Sequence, residues 1–189
     1  MRSAVLEETL SWYEPLVFED GFINKDQFHK PEYTDTLREI VRKVILVHGP
    51  IHEEVLVREV KDLHGFQRVG NNIRTRVLGL VKRAIRSKET VGQFFWPTGV
   101  PEFIPFRHPR PGAERRDVSE IPIQELVGLA LELNSLATSS DPPRTLAEKL
   151  GIERLTQAVR ERLMLAIERA RTLGGKASPP RTDGAGGVE

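Results

Sequence analysis

The stretch Gly65–Ile85 reads GFQRVGNNIRTRVLGLVKRAI. Its apolar residues recur at three- and four-residue steps, the spacing of a helix with one buried face, at Val69, Ile73, Val77, Leu80, Val81 and Ala84. From Leu63 to Lys88 there is no Asp or Glu but there are seven basic residues: Arg68, Arg74, Arg76, Lys82, Arg83, Arg86 and Lys88. We predict a helix from about Gly70 to Ser87 with one wholly basic side, as is typical of helices that meet a phosphate backbone.

The same pattern returns 86 residues later, where GIERLTQAVRERLMLAIERA (Gly151–Ala170) aligns with Gly65–Ala84 without a gap. The alignment pairs Gly65 with Gly151 and pairs four arginines with arginines. We interpret this register as a duplicated helical unit, with chance matching of two apolar helices as the alternative. The second copy mixes Arg with Glu, so we expect the two copies to have different roles.

The segments around the basic helix predict the fold. Thr34 is expected to cap a helix through His48, which Gly49-Pro50 ends, and His52–Leu63 forms a second helix. After the basic helix, ETVGQFFWPTG predicts a short strand pair. Three helices and a strand pair follow the order of a winged helix-turn-helix. In the second copy we predict helices over Ser119–Ala137, from Asp141 to Gly151, and over Leu155–Leu173, with no wing.

The predicted fold class is therefore mainly α, with two tandem winged-helix or helix-turn-helix-like units, the first with a short β-wing. The expected divisions are an N-terminal arm (1–33), winged-helix unit 1 (34–99), a Pro/Arg-rich linker (100–118), wingless helical unit 2 (119–173) and a disordered tail (174–189). The arm is expected to pack on the first unit, with a partner contact as the alternative. In the linker, Arg107, Arg110, Arg115 and Arg116 are expected to add exposed positive charge.

Composition excludes several classes of protein. The chain has 39% hydrophobic and 29% charged residues, a net charge of +1 and no cysteine, so a disulfide framework and zinc-thiolate sites are excluded. No apolar run reaches the roughly 18 residues of a membrane span, and the N-terminus does not resemble a signal peptide. We expect a cytoplasmic protein without a membrane partner.

Four motifs in sequence carry a resemblance: GPIHEEVLVREV, GFQRVGNNIRTRV, QFFWP and RRDVSEIPIQEL. Together they resemble the helicase-associated domain of unknown function at the C-terminal end of large bacterial superfamily-one helicases, over about 34–172. Those helicases often carry a Vsr-like nuclease domain and are linked to anti-phage defence. The resemblance implies a non-catalytic accessory module that binds DNA or a partner, and it supplies no catalytic residues. This sequence has no GxxxxGK[ST] loop, so we expect no ATP hydrolysis.

The predicted interface is with DNA, either duplex or a duplex–single-strand junction. The residues expected to face base edges lie at the N-terminal end of the third helix: Gly70, Asn71, Asn72, Arg74 and Thr75. The paired hydrogen-bonding groups of Asn and Arg suit adenine and guanine. The residues expected to contact phosphates are Lys82, Arg83, Arg86 and Lys88. The full predicted set is Arg68, Asn71, Asn72, Arg74, Arg76, Lys82, Arg83, Arg86, Lys88 and Trp96. Trp96 belongs to it only if it is exposed for stacking on a base; core packing of the strand is the alternative.

Other functions remain open alternatives. The basic face can be a solvated surface, and the chain can be an interaction module that docks on a helicase or nuclease partner. We expect no enzyme activity and no cofactor. A metal site at His48, His52, Glu53 and Glu54 is not expected, because Gly49-Pro50 separates the histidines and no HExxH motif is present.

Overall fold

A computed structural model describes residues 16–108 and 115–176. This part of the chain is mainly helical, with one small three-stranded antiparallel sheet. The chain divides into two compact units, Met1–Glu125 and Leu126–Glu189. The regular elements of the first unit are α1 (Thr34–His48), β1 (Ile51–His52), α2 (Glu53–Leu63), α3 (Asn71–Leu80), β2 (Ile85–Glu89) and β3 (Gly92–Trp96).

The first two helices lie where the sequence predicts them. The core side of α1 is fully formed, because Leu37, Ile40 and Val44 are each 0% exposed. Thr34, the predicted cap, is instead the first helical residue; the N-cap position is held by Tyr33, whose side chain makes no capping hydrogen bond. Helix α1 ends at Gly49, as predicted, and a Cβ at that position would clash with Pro97 and the α1 backbone.

Two histidines fix the start of α2 and its contact with α1. The Nδ1 atom of His52 accepts a hydrogen bond from the Glu54 N–H at 3.2 Å, which caps α2. Its Nε2 atom lies 3.1 Å from the Val91 carbonyl and donates to it, since a carbonyl only accepts. His48 instead pairs with Glu59, with 2.8 Å between Nδ1 and Oε2. The two histidines therefore serve different structural contacts.

The third helix is shorter than predicted. It ends at Leu80, because Val81 leaves the helical conformation at φ −81° and ψ 57°. The chain turns over residues 82–84, and β2 then pairs with β3 in antiparallel register, with Ile85 opposite Trp96. The prediction of a continuous helix to Ser87 was wrong, because strand pairing overrides an apolar spacing that continues past Leu80.

The sheet has the order β1-β3-β2, so β3 is its central strand. Three consecutive aromatic residues of β3 are buried, since Phe94, Phe95 and Trp96 are 0%, 2% and 3% exposed. Both faces of the central strand are covered. The indole N–H of Trp96 donates to the Ser87 hydroxyl at 2.9 Å. Core packing, and not base stacking, is therefore the role of Trp96.

The turns at the two aligned glycines have the same geometry. Gly65 and Gly151 both adopt the left-handed conformation, with φ of 67° and 69°. The Phe66 N–H donates to Lys61 at 3.1 Å, and the Ile152 N–H donates to Ala147 at 2.8 Å. Both bonds join residues that correspond under the 86-residue shift. The two turns therefore share one backbone geometry in the predicted register, and the duplication itself stays a prediction.

The second copy is built from α4 (Ile123–Glu132), α5 (Pro142–Lys149) and α6 (Gln157–Lys176). Asp141 caps α5, as predicted, by accepting from the Arg144 N–H at 3.3 Å. The predicted helix Ser119–Ala137 is instead interrupted, since Ile121 is extended before Pro122. Short 3-10 helices occupy Val118–Glu120 and Asn134–Ala137. Helix α6 continues to Lys176, into the segment predicted to be disordered, and the rest of the tail lies outside the described residues.

The N-terminal arm packs on the first unit, as expected for its described part, residues 16–33. Phe28 is 0% exposed, and its ring lies 4.9 Å from the His64 ring. The Tyr33 hydroxyl lies 3.1 Å from His64 Nε2, and His64 Nδ1 donates to the Val60 carbonyl at 2.7 Å. Burial lowers the pKa of His64. The arm is thus tied to the end of α2.

The predicted linker is anchored by a buried carboxylate, Glu125, which is 0% exposed. Arg107 donates to it at 2.8 Å, and Arg116 donates to both of its oxygens. Arg107 also donates to the carbonyls of His48 and Pro50, each at 2.9 Å. The prediction that these two arginines add exposed charge was wrong, because their side chains are only 18% and 20% exposed. Arg115 is exposed, and Arg110 lies outside the described residues.

Removal of the Glu125 charge should destabilise the first unit. Burial alone would raise the pKa of Glu125, but the hydrogen bonds and charges of Arg116 and Arg107 outweigh it and lower the pKa. Glu125→Gln should reduce the free energy of unfolding by about 3 kcal/mol at pH 7, because it leaves two partly buried cations unpaired. Urea unfolding followed by circular dichroism measures this loss.

The contribution of Glu125 to the free energy of unfolding depends on pH in a defined direction. Because the folded-state pKa of Glu125 is lowered from 4.5, its contribution is fully present above about pH 4.5 and is lost as the pH falls through the folded-state pKa. The difference between the wild type and Glu125→Gln should therefore shrink in acid. An equal loss in the exposed control Glu102→Gln, or a difference that does not change with pH, would contradict this role.

Candidate nucleic-acid interface

The N-terminal half of α3 presents amide and hydroxyl groups to solvent. Ile73 and Val77 are 7% and 0% exposed, so this side of the helix is fixed against the core. The opposite side carries Asn71, Asn72 and Thr75, all exposed. Arg68 lies in the loop just before the helix and is also exposed. We call Arg68, Asn71, Asn72 and Thr75 the α3 patch.

The backbone at this helix end adds positive potential. Gly70 occupies the N-cap position and offers no side chain, so no side-chain acceptor caps the first N–H groups. There is no acidic residue in the first turn. These free N–H groups and the helix dipole favour an anion at this point. The patch therefore combines one guanidinium, two amides and a positive helix end.

Strand β2, which forms a hairpin with β3, carries two further basic residues of the predicted set. Arg86 and Lys88 are exposed, whereas Ser87 and Glu89 between and beyond them are partly buried. Arg86 donates to the Val81 carbonyl at 2.7 Å and lies 5.8 Å from the centre of the Phe95 ring. These two contacts fix the position of Arg86, whose side chain remains exposed. Glu89 is engaged by the Ile123 N–H at 3.0 Å.

Arg74 has a structural partner. Its guanidinium pairs with Glu54 and lies 3.7 Å from a carboxylate oxygen of Glu53, both in the first turn of α2. The second copy has a similar pair, in which Arg160 donates to Asp141 at 2.8 and 2.9 Å. Hydrogen bonding from Arg160 lowers the pKa of Asp141. In both copies, therefore, an arginine of the last helix clamps the start of the preceding one, and Arg74 is not free to face bases as predicted.

Arg76 is also engaged. It donates to the Lys30 carbonyl at 2.8 Å and to the Thr34 hydroxyl at 3.2 Å. By contrast, Arg68, Lys82, Arg83 and Lys88 are exposed and have no side-chain hydrogen bond or ion pair within the described part of the chain. The structure thus divides the predicted set into three engaged arginines, buried Trp96, four uncommitted cations and the exposed amides of Asn71 and Asn72.

The uncommitted cations do not form one continuous surface along α3. Helix α3 has 10 residues and is therefore about 15 Å long, which separates Arg68 from Lys82 and Arg83. Lys82 and Arg83 instead border a groove with Arg38 and Arg42 of α1. Sequence reasoning missed these two arginines, although their i, i+4 spacing places them on one helix side.

No set of three or more potential metal ligands comes together in residues 16–108 and 115–176. In the same ranges, none of the helices combines the length and the apolar character that a membrane span requires. His52 and Glu53 face the hairpin turn, where Glu53 accepts from the Gln93 N–H at 3.4 Å.

Comparison with known families gives one match. Residues 26–75 match the family described as "Protein of unknown function (DUF3320)", which spans α1, β1, α2 and the first half of α3. No curated protein matches the chain. No solved structure matches it either. The match supports a domain of unknown function over this segment, and the helicase association stays a prediction.

The clamp and the patch predict different mutational effects. Arg74→Ala should lower the free energy of unfolding by about 0.5–1 kcal/mol, because it removes a partly exposed ion pair between two helices. Arg160→Ala should lower the thermal midpoint as well. Arg68→Ala and its counterpart Arg154→Ala, both exposed, should leave the midpoint almost unchanged. Differential scanning calorimetry of the four variants makes the comparison, and an equal effect at all four positions would contradict the clamp.

Proposed function

We propose that the first unit is a winged-helix module that binds duplex DNA as a non-catalytic accessory part of a helicase-linked system. The observation that carries the proposal is the α3 patch. It is an exposed basic and amide surface on a helix whose opposite side is locked into the core. The resemblance noted in the sequence supports the helicase link, and the second copy is proposed to be a wingless relative of the first.

The order of elements supports a winged-helix interpretation. The chain runs α1, β1, α2, α3, β2, β3, and in the sheet order β1-β3-β2 the last two strands form a hairpin that follows the third helix in the chain, as a wing would. In helix-turn-helix proteins the helix after the turn enters the major groove with its N-terminal residues foremost. Here α3 follows the Gly65 turn and would present Asn71, Asn72 and Thr75 to base edges.

Phosphate contacts would come from both sides of this helix end. Arg68 precedes α3, and the exposed N–H groups of its first turn suit a phosphate oxygen. Lys88 and the outer edge of Arg86 lie on the hairpin, where they would reach the adjacent backbone. Phosphate contacts of this kind position a protein on DNA, whereas the asparagines would carry any sequence preference.

Duplex DNA is favoured over an unpaired strand. Stacking platforms for unpaired bases require exposed aromatic side chains. Trp96, the residue predicted for that role, is 3% exposed and bonded to Ser87. The groups offered by the α3 patch are instead amides and a guanidinium, which suit base edges and phosphates in a paired helix.

Binding should depend on salt through Arg68 and Lys88. The double variant Arg68→Ala/Lys88→Ala should bind a 16-base-pair duplex at least tenfold more weakly in 0.1 M salt. Its plot of log affinity against log salt should be shallower by about 1.8, which is about 0.9 for each lost phosphate contact. Fluorescence anisotropy over a salt series measures both values. Asn71→Ala/Asn72→Ala should weaken binding with the slope unchanged.

Arg154→Ala is the matched control for Arg68→Ala, because the two arginines correspond in the duplication and both are exposed. The control should bind like the wild type. The absence of duplex binding at low salt, or an equal loss in Arg154→Ala, would refute the proposed interface.

A further inference from the structure

A groove lies between the outer side of α1 and the segment that joins α3 to β2. Its volume is about 630 Å³, and it lies wholly within the first unit. The floor is apolar, with Ile45, Leu80, Val81 and Trp96 among its residues. Neither the α3 patch nor the hairpin cations Arg86 and Lys88 line it. The groove is thus a second surface that the proposed DNA contact does not use.

The edge of the groove exposes aliphatic side chains. Leu46 on α1 is 58% exposed, and Ile85 at the start of β2 is 44% exposed. Both line the groove, so apolar area at its mouth continues into an apolar floor. Covering such area with another apolar surface contributes about 25 cal/mol for each Å² removed from water. An apolar partner surface would therefore bind here favourably.

The rim is positively charged. Arg38, Arg42, Lys82 and Arg83 line the groove, and no Asp or Glu is among the described residues that line it. Arg38 pairs with Asp35, one turn earlier on α1. Arg42, Lys82 and Arg83 are exposed and form no side-chain hydrogen bond or ion pair in the ranges that the structure describes. Three uncommitted cations thus surround an apolar floor.

We propose that this groove docks an acidic amphipathic helix of a partner protein. Such a helix places apolar anchors at i, i+3, i+4 and i+7 into a groove and keeps its charged side at the rim. The stripe from Arg38 to Leu46 covers about 12 Å of α1, which matches two turns of a partner helix. Carboxylates on that helix would meet Arg42, Lys82 and Arg83.

The aliphatic character of the mouth decides between a protein and a nucleic acid. Unpaired bases bind by stacking on exposed aromatic rings, whereas the exposed apolar residues here are Leu46 and Ile85. A duplex backbone would match the rim cations but would leave the apolar floor uncovered. An acidic amphipathic helix satisfies both parts of the groove. This inference does not depend on the proposed binding of DNA.

A pair of designed peptides tests the charge requirement. Each has 18 residues with Leu at the four anchor positions of a helix; one has Glu and the other Lys at the remaining positions. In a Trp12→Phe background, Trp96 is the single tryptophan and reports on the groove floor. The Glu peptide should bind at least tenfold more tightly than the Lys peptide. The double variant Leu46→Ala/Ile85→Ala should bind the Glu peptide at least fivefold more weakly than the wild type does.

Charge reversal makes the test specific. Arg42→Glu/Arg83→Glu should reverse the preference, so that the Lys peptide binds more tightly, which a merely damaged fold would not produce. The control Arg154→Glu/Arg169→Glu has the same change in net charge at two exposed positions of the second copy and should keep the wild-type preference. Equal binding of both peptides, or reversal in the control, would overturn the proposal.

Competition and self-association test the other occupants. A 16-base-pair duplex that displaces the Glu peptide from the wild type and from Arg68→Ala/Lys88→Ala alike would assign the groove to DNA and overturn the proposal. Concentration-dependent dimerisation that Leu46→Ala/Ile85→Ala abolishes would assign it to a second copy, with the same consequence. If the duplex does not displace the Glu peptide and the chain stays monomeric, the result supports a partner helix.

Discussion

The burial of three aliphatic side chains at four-residue steps determines which chemistry the first unit presents. Ile73, Val77 and Val81 are 7%, 0% and 5% exposed, so α3 has one possible rotation about its axis. Burying each side chain is worth roughly 1.5–3 kcal/mol, more than an exposed ion pair contributes. The positions of the basic side chains in this segment are therefore set by the burial of the apolar ones. Arg74 reaches the carboxylates of α2, and Arg68 remains in solvent at the start of the helix. Lys82 and Arg83 border the groove beside α1.

The two segments aligned by the predicted duplication share some structural features and differ in others. The left-handed glycine, its two flanking hydrogen bonds and the arginine clamp occur in both copies. The exposed features differ: Asn72 corresponds to Ala158 and Lys82 to Glu168. Helix α6 also runs for 20 residues where α3 stops after 10 and gives way to a strand. Within residues 16–108 and 115–176, the paired asparagines and the hairpin therefore occur in the first copy alone, and they are the features on which the proposed DNA contact depends.

Local signals in the sequence predicted much of the fold. The limits of α1 followed from its apolar spacing and from Gly49-Pro50. The end of α3 could not be predicted from such signals, because its apolar spacing continues beyond Leu80. Only pairing with β3, which comes later in the chain, makes Ile85–Glu89 a strand. In the candidate site, Arg68 and Arg74 look alike in sequence. Only the approach of Glu53 and Glu54 from α2 separates a structural arginine from an exposed one. The groove was missed because its cations come from segments 40 residues apart, as Arg42 and Lys82 show.

The first unit is proposed to have two surfaces for two kinds of partner, paired nucleic acid at the start of α3 and an acidic helix beside α1. Amide chemical shifts recorded during titration with a 16-base-pair duplex distinguish the two surfaces. We expect the changes to centre on Asn71, Asn72 and Thr75 and to extend to Lys88, while Leu46 and Ile85 stay unchanged. Changes that centre on the groove or on Arg154 and Arg169, or no changes at low salt, would contradict the proposed DNA contact.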